Sequence, residues 1–134
     1  MKIQRHLEVT PQEFFDVLSF SITHDIKENG KLGEIKKGFC YTKKISNGIT
    51  ADIEILNYKY PTLYEVKIST YMGSNIIKYE IKDKEIIYTE CYYPKNLLYK
   101  LNYFLTYLFL YLRNKKNINM QITQMQEYIK QNRI

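Results

Sequence analysis

Residues 94–112 read PKNLLYKLNYFLTYLFLYL, and no proline or glycine follows Pro94 anywhere in the chain. Nothing local stops a helix there, so the stretch predicts one long amphipathic helix beginning just after Pro94. Leu97, Phe104, Tyr111, Ile118 and Met125 recur by sevens, as do Leu101, Leu108, Ile122 and Ile129, with Lys115 interrupting the second series. The phase runs unbroken past Arg113, Lys115 and Lys116, so the helix is expected to reach nearly to the end. About 35 helical residues span roughly 50 Å, more than the width of so small a domain. As far as Leu112 the apolar stripe is wide and suits a lid on a sheet. Beyond it the stripe narrows to Ile118, Ile122, Met125 and Ile129, as in a coiled-coil seam or a weakly docked helix.

Upstream the chain supplies something for that helix to cover. Ile3, Leu7 and Val9 mark a first strand over residues 2–9. Thr10-Pro11-Gln12-Glu13 is a capping box with proline at the first helical position. Phe14, Phe15, Leu18, Ile22 and Ile26 follow at helical spacing, while Ser19, Ser21 and Thr23-His24-Asp25 suggest a break, giving two short helices that end at Asn29-Gly30. From Gly38 the period changes to two. Asn47-Gly48 signals a tight hairpin, because a type I′ turn needs positive φ at both positions. Alternation then continues through Ala51/Ile53/Ile55, Tyr64/Val66/Ile68, Ile77/Tyr79/Ile81 and Glu85–Tyr93, with turns at Tyr60-Pro61, Met72-Gly73-Ser74-Asn75 and Lys82-Asp83-Lys84. The reading is α+β: a first strand, two short helices, a five-strand antiparallel meander and the long helix, six strands in all. A half-apolar sheet needs one face covered, and the long helix is the expected cover.

The 134 residues fit a single domain, 1–134, with 113–134 an extension that can protrude from it. Net charge is +6, yet most basic residues alternate with acids along the strands, as on an ordinary solvated surface. The exception is 113–134, where Arg113, Lys115, Lys116, Lys130 and Arg133 face Glu127 alone. No apolar signal core opens the chain, and the apolar run 103–112 falls well short of the ~20 residues that span a bilayer. Two cysteines, Cys40 and Cys91, are too few for a disulfide framework. The expectation is a cytoplasmic protein with both thiols reduced and buried. The chain holds 14 Tyr and no Trp. Its Lys, Ile, Asn and Tyr excess fits an AT-rich bacterial genome.

The order of elements resembles the helix-grip fold of the START, birch-pollen-allergen and polyketide-cyclase (SRPBCC) superfamily. More closely, the chain is similar to a small bacterial family known only as a domain of unknown function. The Met1–Val9 opening, Thr10-Pro11-Gln12-Glu13-Phe14-Phe15, Gly38-Phe39-Cys40-Tyr41-Thr42-Lys43-Lys44, Tyr88-Thr89-Glu90 and Leu108-Phe109-Leu110-Tyr111-Leu112-Arg113 carry the likeness. It implies a curved sheet wrapped on the C-terminal helix, with a cavity for apolar or amphipathic molecules. It implies no single activity, since a fold is not a function.

Catalytic chemistry has little to draw on. His6 and His24 lack partners at metal-ligand spacing, no phosphate-cradling glycine loop occurs, and no serine elbow is present. No metal or cofactor is expected, and no catalytic residue is assigned. Cavity candidates are Tyr41, Tyr64, Tyr79, Tyr88 and Glu90 from the strands, with Leu101, Phe104 and Leu108 from the helix. Buried tyrosine hydroxyls need partners, which a ligand or the protein itself can supply, and tyrosine also simply favours strands. Glu90, if turned inward, is the one candidate base of a cyclase- or hydrolase-like enzyme. Candidates for interaction are Arg113, Lys115, Lys116, Ile118, Ile122, Met125 and Ile129, through a homodimer seam or by packing on the chain's own domain. A membrane surface lacks interfacial Trp here, and nucleic acid lacks a recognised motif. Three functions follow: a binder of a small hydrophobic ligand, an interaction module with a filled core, or such an enzyme.

Overall fold

The computed structural model describes residues 1–46 and 48–133, with the side chains of Ser46 and residues 104–110 outside that description. In chain order it contains β1 (Lys2–His6), α1 (Pro11–Glu28), β2 (Cys40–Ser46), β3 (Ile49–Lys59), β4 (Leu63–Thr70), β5 (Gly73–Lys82), β6 (Glu85–Pro94) and α2 (Leu97–Gln131). The six strands form one antiparallel sheet in the order β1-β6-β5-β4-β3-β2. The meander runs from β2 to β6, and β1 pairs with β6, Ile3 opposite Tyr88. Both helices pack over one face of this sheet, which is the helix-grip arrangement.

A single continuous helix, α1, replaces the two short ones expected from residues 19–25. Its start follows the capping box: the Glu13 amide donates to Thr10 Oγ1 at 3.1 Å, and the Thr10 amide donates to Glu13 Oε1 at 3.0 Å. Its polar middle survives because Ser19, Thr23 and Asp25 each find a partner. Thr23 Oγ1 donates to the Ser19 carbonyl at 2.9 Å, Ser19 Oγ lies 2.9 Å from the Tyr58 hydroxyl, and Asp25 binds Tyr41 and Lys43. Phe14, Phe15, Leu18, Ile22 and Ile26 all reach the core. Gly30, with φ +74°, ends the helix in a conformation that L side chains resist. Gly48, at φ +80°, closes the β2–β3 hairpin, and its partner Asn47 lies outside the described residues.

The centre of the covered face is a row of tyrosines. Tyr58 pairs with Tyr64, Tyr64 with Tyr79 and Tyr79 with Tyr88, so four adjacent strands each place one ring in line. The successive ring centroids are 6.4, 6.5 and 5.1 Å apart, and Phe15 of α1 meets Tyr58 edge-on at 5.3 Å. Such cross-strand aromatic pairs each add a few tenths to about 1 kcal/mol beyond burial. Tyr58 joins the row only because of a β-bulge. Ile55 pairs with Val66 and Asn57 with Glu65, leaving Leu56 as the extra residue. That insertion turns Tyr58 inward and sends Asn57 outward to bind Glu65 at 2.7 Å.

The described side chains of the long helix bury its second half on the chain's own domain, one of the two placements its sequence left open. Ile122 is 1% exposed, Gln126 1% and Ile129 6%, with Ile118 and Met125 packed beside them. The narrow stripe therefore faces the chain's own core. Residues 113–133 are docked rather than protruding, and Ile118, Ile122, Met125 and Ile129 are not free to form a homodimer seam. Polar links reinforce the docking. Arg5 Nη1 donates to the Asn119 carbonyl at 2.6 Å and to Thr123 Oγ1 at 2.7 Å. The Glu8 amide donates to Gln126 Oε1 at 2.7 Å, and Lys130 pairs with Glu8 at 2.7 Å. By contrast Leu97 is 80% exposed and Leu101 56%, with Leu98 and Leu112 also in solvent. Two further expectations are corrected: Cys40 and Cys91 are free but exposed, because both fall on the uncovered face of the sheet.

Candidate functional site

A cavity of about 290 Å³ lies between the far ends of β5 and β6 and the first half of α2. Asn75 and Glu90 line it from the sheet together with Tyr92, and Tyr99, Asn102 and Tyr103 from the helix, with Met1 and Met72 at its edge and Tyr111 and Asn114 further along α2. Asn75 occupies β5 rather than the turn assigned to it, since that turn is shorter than the sequence suggested. It then follows the same alternation as Ile77 and Tyr79, and lies opposite Tyr92 and Ile68.

The polar groups converge on one carboxylate. Asn75 Nδ2 donates to Glu90 Oε1 at 2.8 Å, and the Tyr88 hydroxyl donates to Glu90 Oε2 at 3.3 Å. Asn75 Oδ1 is buried and has no hydrogen-bond partner among the described residues. A buried carbonyl oxygen without a donor costs ~1–3 kcal/mol, so Asn75, a residue of the cavity wall, carries one unmet acceptor. Tyr92 and Tyr103 stack at 4.8 Å with their planes 35° apart, and Tyr92 also donates to the Met72 carbonyl at 3.2 Å. Burial, and secondarily the Glu90 charge, pushes the Tyr79 phenol up to about 12. The same two causes, in the same order, raise Tyr88 further.

The predicted site residues do not assemble in one place. Glu90 is in the cavity wall. Tyr64, Tyr79 and Tyr88 are in the tyrosine row beneath it, and Tyr88 reaches the cavity only through its bond to Glu90. Tyr41 is remote from it: its hydroxyl donates to Asp25 Oδ2 at 2.7 Å, and Lys43 Nζ donates to Asp25 Oδ1 at 2.7 Å. Burial opposes ionisation of Asp25, but these two hydrogen bonds outweigh it and hold the carboxyl below its usual value. This group braces α1 against β2. Leu101 faces solvent, and the side chains of Phe104 and Leu108 lie outside the described residues. Arg113 and Lys116 are exposed, while Lys115 lies 5.7 Å from the Tyr111 ring centroid. Sequence reasoning missed Asn75, Tyr92, Tyr99, Asn102 and Tyr103. The signal for Asn75 and Tyr92 was present in strand parity, since each is two residues from an inward neighbour.

Glu90 has both oxygens engaged, His24 pairs with Glu28 at 2.9 Å on the surface, and no cluster of three metal-ligating side chains occurs among the described residues. No described helix is long and apolar enough to cross a membrane.

The architecture and its cavity define an α+β helix-grip domain. The chain belongs to the family described as Domain of unknown function (DUF3284), which matches residues 1–111. No curated protein matches it. Among solved structures, DynU16, a protein of the dynemicin biosynthetic locus, is similar with a TM-score of 0.63 at 8% identity, over 97% of this chain and 46% of that one. The chain thus spans less than half the length of that relative. Mll3558 from Rhizobium loti is similar with a TM-score of 0.57 at 9% identity, over 96% of this chain and 94% of that one. At these identities the likeness is one of fold.

Proposed function

We propose that this chain is a START-like binding protein that holds a small amphipathic molecule in the cavity between β5–β6 and α2. The observation that carries the reading is Asn75 Oδ1, an unpartnered buried acceptor in the wall of a tyrosine-rich cavity. A cavity of about 290 Å³ stands at the low end of ligand pockets. The ligand is therefore compact, with an N–H or O–H for Asn75 and an apolar body against Tyr92 and Tyr103. Two exposed free thiols suit a reducing compartment, which supports a cytoplasmic setting. An enzymatic role is the weaker reading, because one fully engaged carboxylate offers no acid–base pair.

The neutral dye N-phenylnaphthylamine, which carries one N–H donor, tests this. Its fluorescence should rise on addition of the protein, and Asn75→Leu should weaken binding by about tenfold, the worth of one buried hydrogen bond. Dye binding unchanged by Asn75→Leu, or no dye binding together with no small molecule in native mass spectra, would sink the reading.

A further inference from the structure

The end of the molecule where the β4–β5 turn meets the start of α2 groups six exposed apolar side chains among the described residues. Leu97, Leu98 and Leu101 project from the face of α2 opposite Tyr99, Asn102 and Tyr103, which line the cavity. Tyr71, Met72 and Tyr93 are exposed beside them. These parts form one surface. The Tyr71 and Tyr99 rings meet edge-on at 6.1 Å, the Lys95 amide donates to the Met72 carbonyl at 2.9 Å, and Gly73 pairs with Pro94.

Charge is distributed unevenly around this patch. Residues 69–76 and 91–103, which form it, contain two lysines and no aspartate or glutamate. Lys95 and Lys100 flank the leucines, and Arg113 and Lys116 are exposed further along the helix. A second copy of the chain would bring two such basic ends together, which same-sign repulsion opposes. The patch calls for a partner that is apolar beneath a negative surface.

We propose that this end docks on an anionic lipid bilayer, with Leu97, Leu98 and Leu101 entering the headgroup boundary and Lys95 and Lys100 against the lipid phosphates. Apolar side chains ringed by lysines on one face of a helix are the ordinary physical requirement for interfacial binding, and tyrosines such as Tyr71 and Tyr93 suit the headgroup level. The docking is superficial, and it is independent of whether the cavity holds a ligand.

Sedimentation of the full chain with phosphatidylcholine vesicles, with and without phosphatidylglycerol, tests it. The protein should pellet with the anionic vesicles, stay in the supernatant with neutral ones, and be released by salt. Leu97→Asp with Leu101→Asp should weaken binding by more than about tenfold, as loss of two buried leucines requires. Lys95→Glu with Lys100→Glu should weaken it by about tenfold or more, as reversal of two surface-proximal charges requires. All four positions are exposed, so circular dichroism and Tm should be unchanged. If a double variant unfolds, Leu97→Ala alone carries the test with a smaller loss. Asn75→Leu, which alters the cavity, should bind vesicles as the parent does. The proposal is overturned if the parent ignores anionic vesicles, or if the leucine variants pellet equally. It is also overturned if the patch binds polyglutamate but not lipid, which would mark an acidic protein partner, or if the leucines instead drive a dimer in the absence of vesicle binding.

Discussion

The Arg133 guanidinium donates two hydrogen bonds, at 2.9 and 2.8 Å, to the Glu13 carboxylate that also caps α1. One carboxylate thus fixes the start of the first helix and fastens the last helix to it. Arg133 first, and then the Thr10 backbone, hold its carboxyl down at about 2.

Acid should therefore loosen this junction. Because the folded value is depressed, the stabilisation is complete above the ordinary value of 4.5 and is lost as pH falls from there toward about 2. The pair is partly exposed, so screening keeps the effect to a few degrees of Tm. Tm of the parent should fall more steeply below about pH 5 than that of Glu13→Gln. Parallel slopes for the two proteins would remove Glu13 as a cause.

The two halves of α2 should respond oppositely to truncation. Ile122→Ala opens a gap in the core and should cost about 2–4 kcal/mol in urea unfolding. Leu97→Ala and Leu101→Ala, at exposed positions, should change stability by no more than about 0.5 kcal/mol. Comparable losses at Ile122 and Leu101 would mean that Leu101 is buried as well.

Alkali should act on the tyrosine row. Burial raises Tyr64, Tyr79 and Tyr88, and it raises Tyr41 with help from Asp25. Phenols with raised values stabilise the fold fully below their unfolded value of 10.0, and that contribution is lost as pH climbs through about 12, the folded value of Tyr79. Absorbance of the phenolate band should show two classes of tyrosine, the late one appearing together with loss of the far-ultraviolet dichroism. A single early class would show that the row is wet.

Both thiols should be open to reagents. Cys40 and Cys91 are exposed on the sheet's uncovered face, so a disulfide reagent should modify both in the native protein at rates near those in urea. Protection of either by more than about tenfold would contradict this exposure.

Much of the fold could be read from local chemistry. The Thr10-Glu13 capping box, the five-strand meander and the unbroken phase of the long helix are all properties of neighbours in sequence, and all are present. What failed depended on distant partners. Ser19 and Asp25 look like helix breakers until Tyr58, Tyr41 and Lys43 are brought to them from the sheet, while Thr23 bonds back to the Ser19 carbonyl within the helix. The apolar stripe of α2 has a readable period, but nothing in the period says which segment of it another element will cover. Leu97 and Leu101 were expected to face the sheet and are outside, while Ile122 and Ile129, left open between a homodimer seam and the chain's own domain, are inside. Among the described residues, Glu90 was the one predicted cavity residue placed in its wall, because its parity with Tyr88 and Tyr92 could be counted. Tyr99 and Asn102 could not be found that way, since their facing follows from how the helix is rotated.

Parity also sets what β3 can tolerate. Before Leu56 the odd-numbered residues Ala51, Ile53 and Ile55 point inward, and after it the even-numbered Tyr58 does. Leu56 acts as a frame-shifting element within a folded strand. Replacing its side chain leaves the frame intact, and deleting it would join the Ile55–Val66 pair directly to Asn57–Glu65, keeping Tyr58 beneath Phe15 and Asn57 outward in a regular ladder. In this strand the bulge is the one place where the pairing absorbs the loss of a residue, so length variation among relatives should fall at Leu56 and avoid the paired residues that follow it.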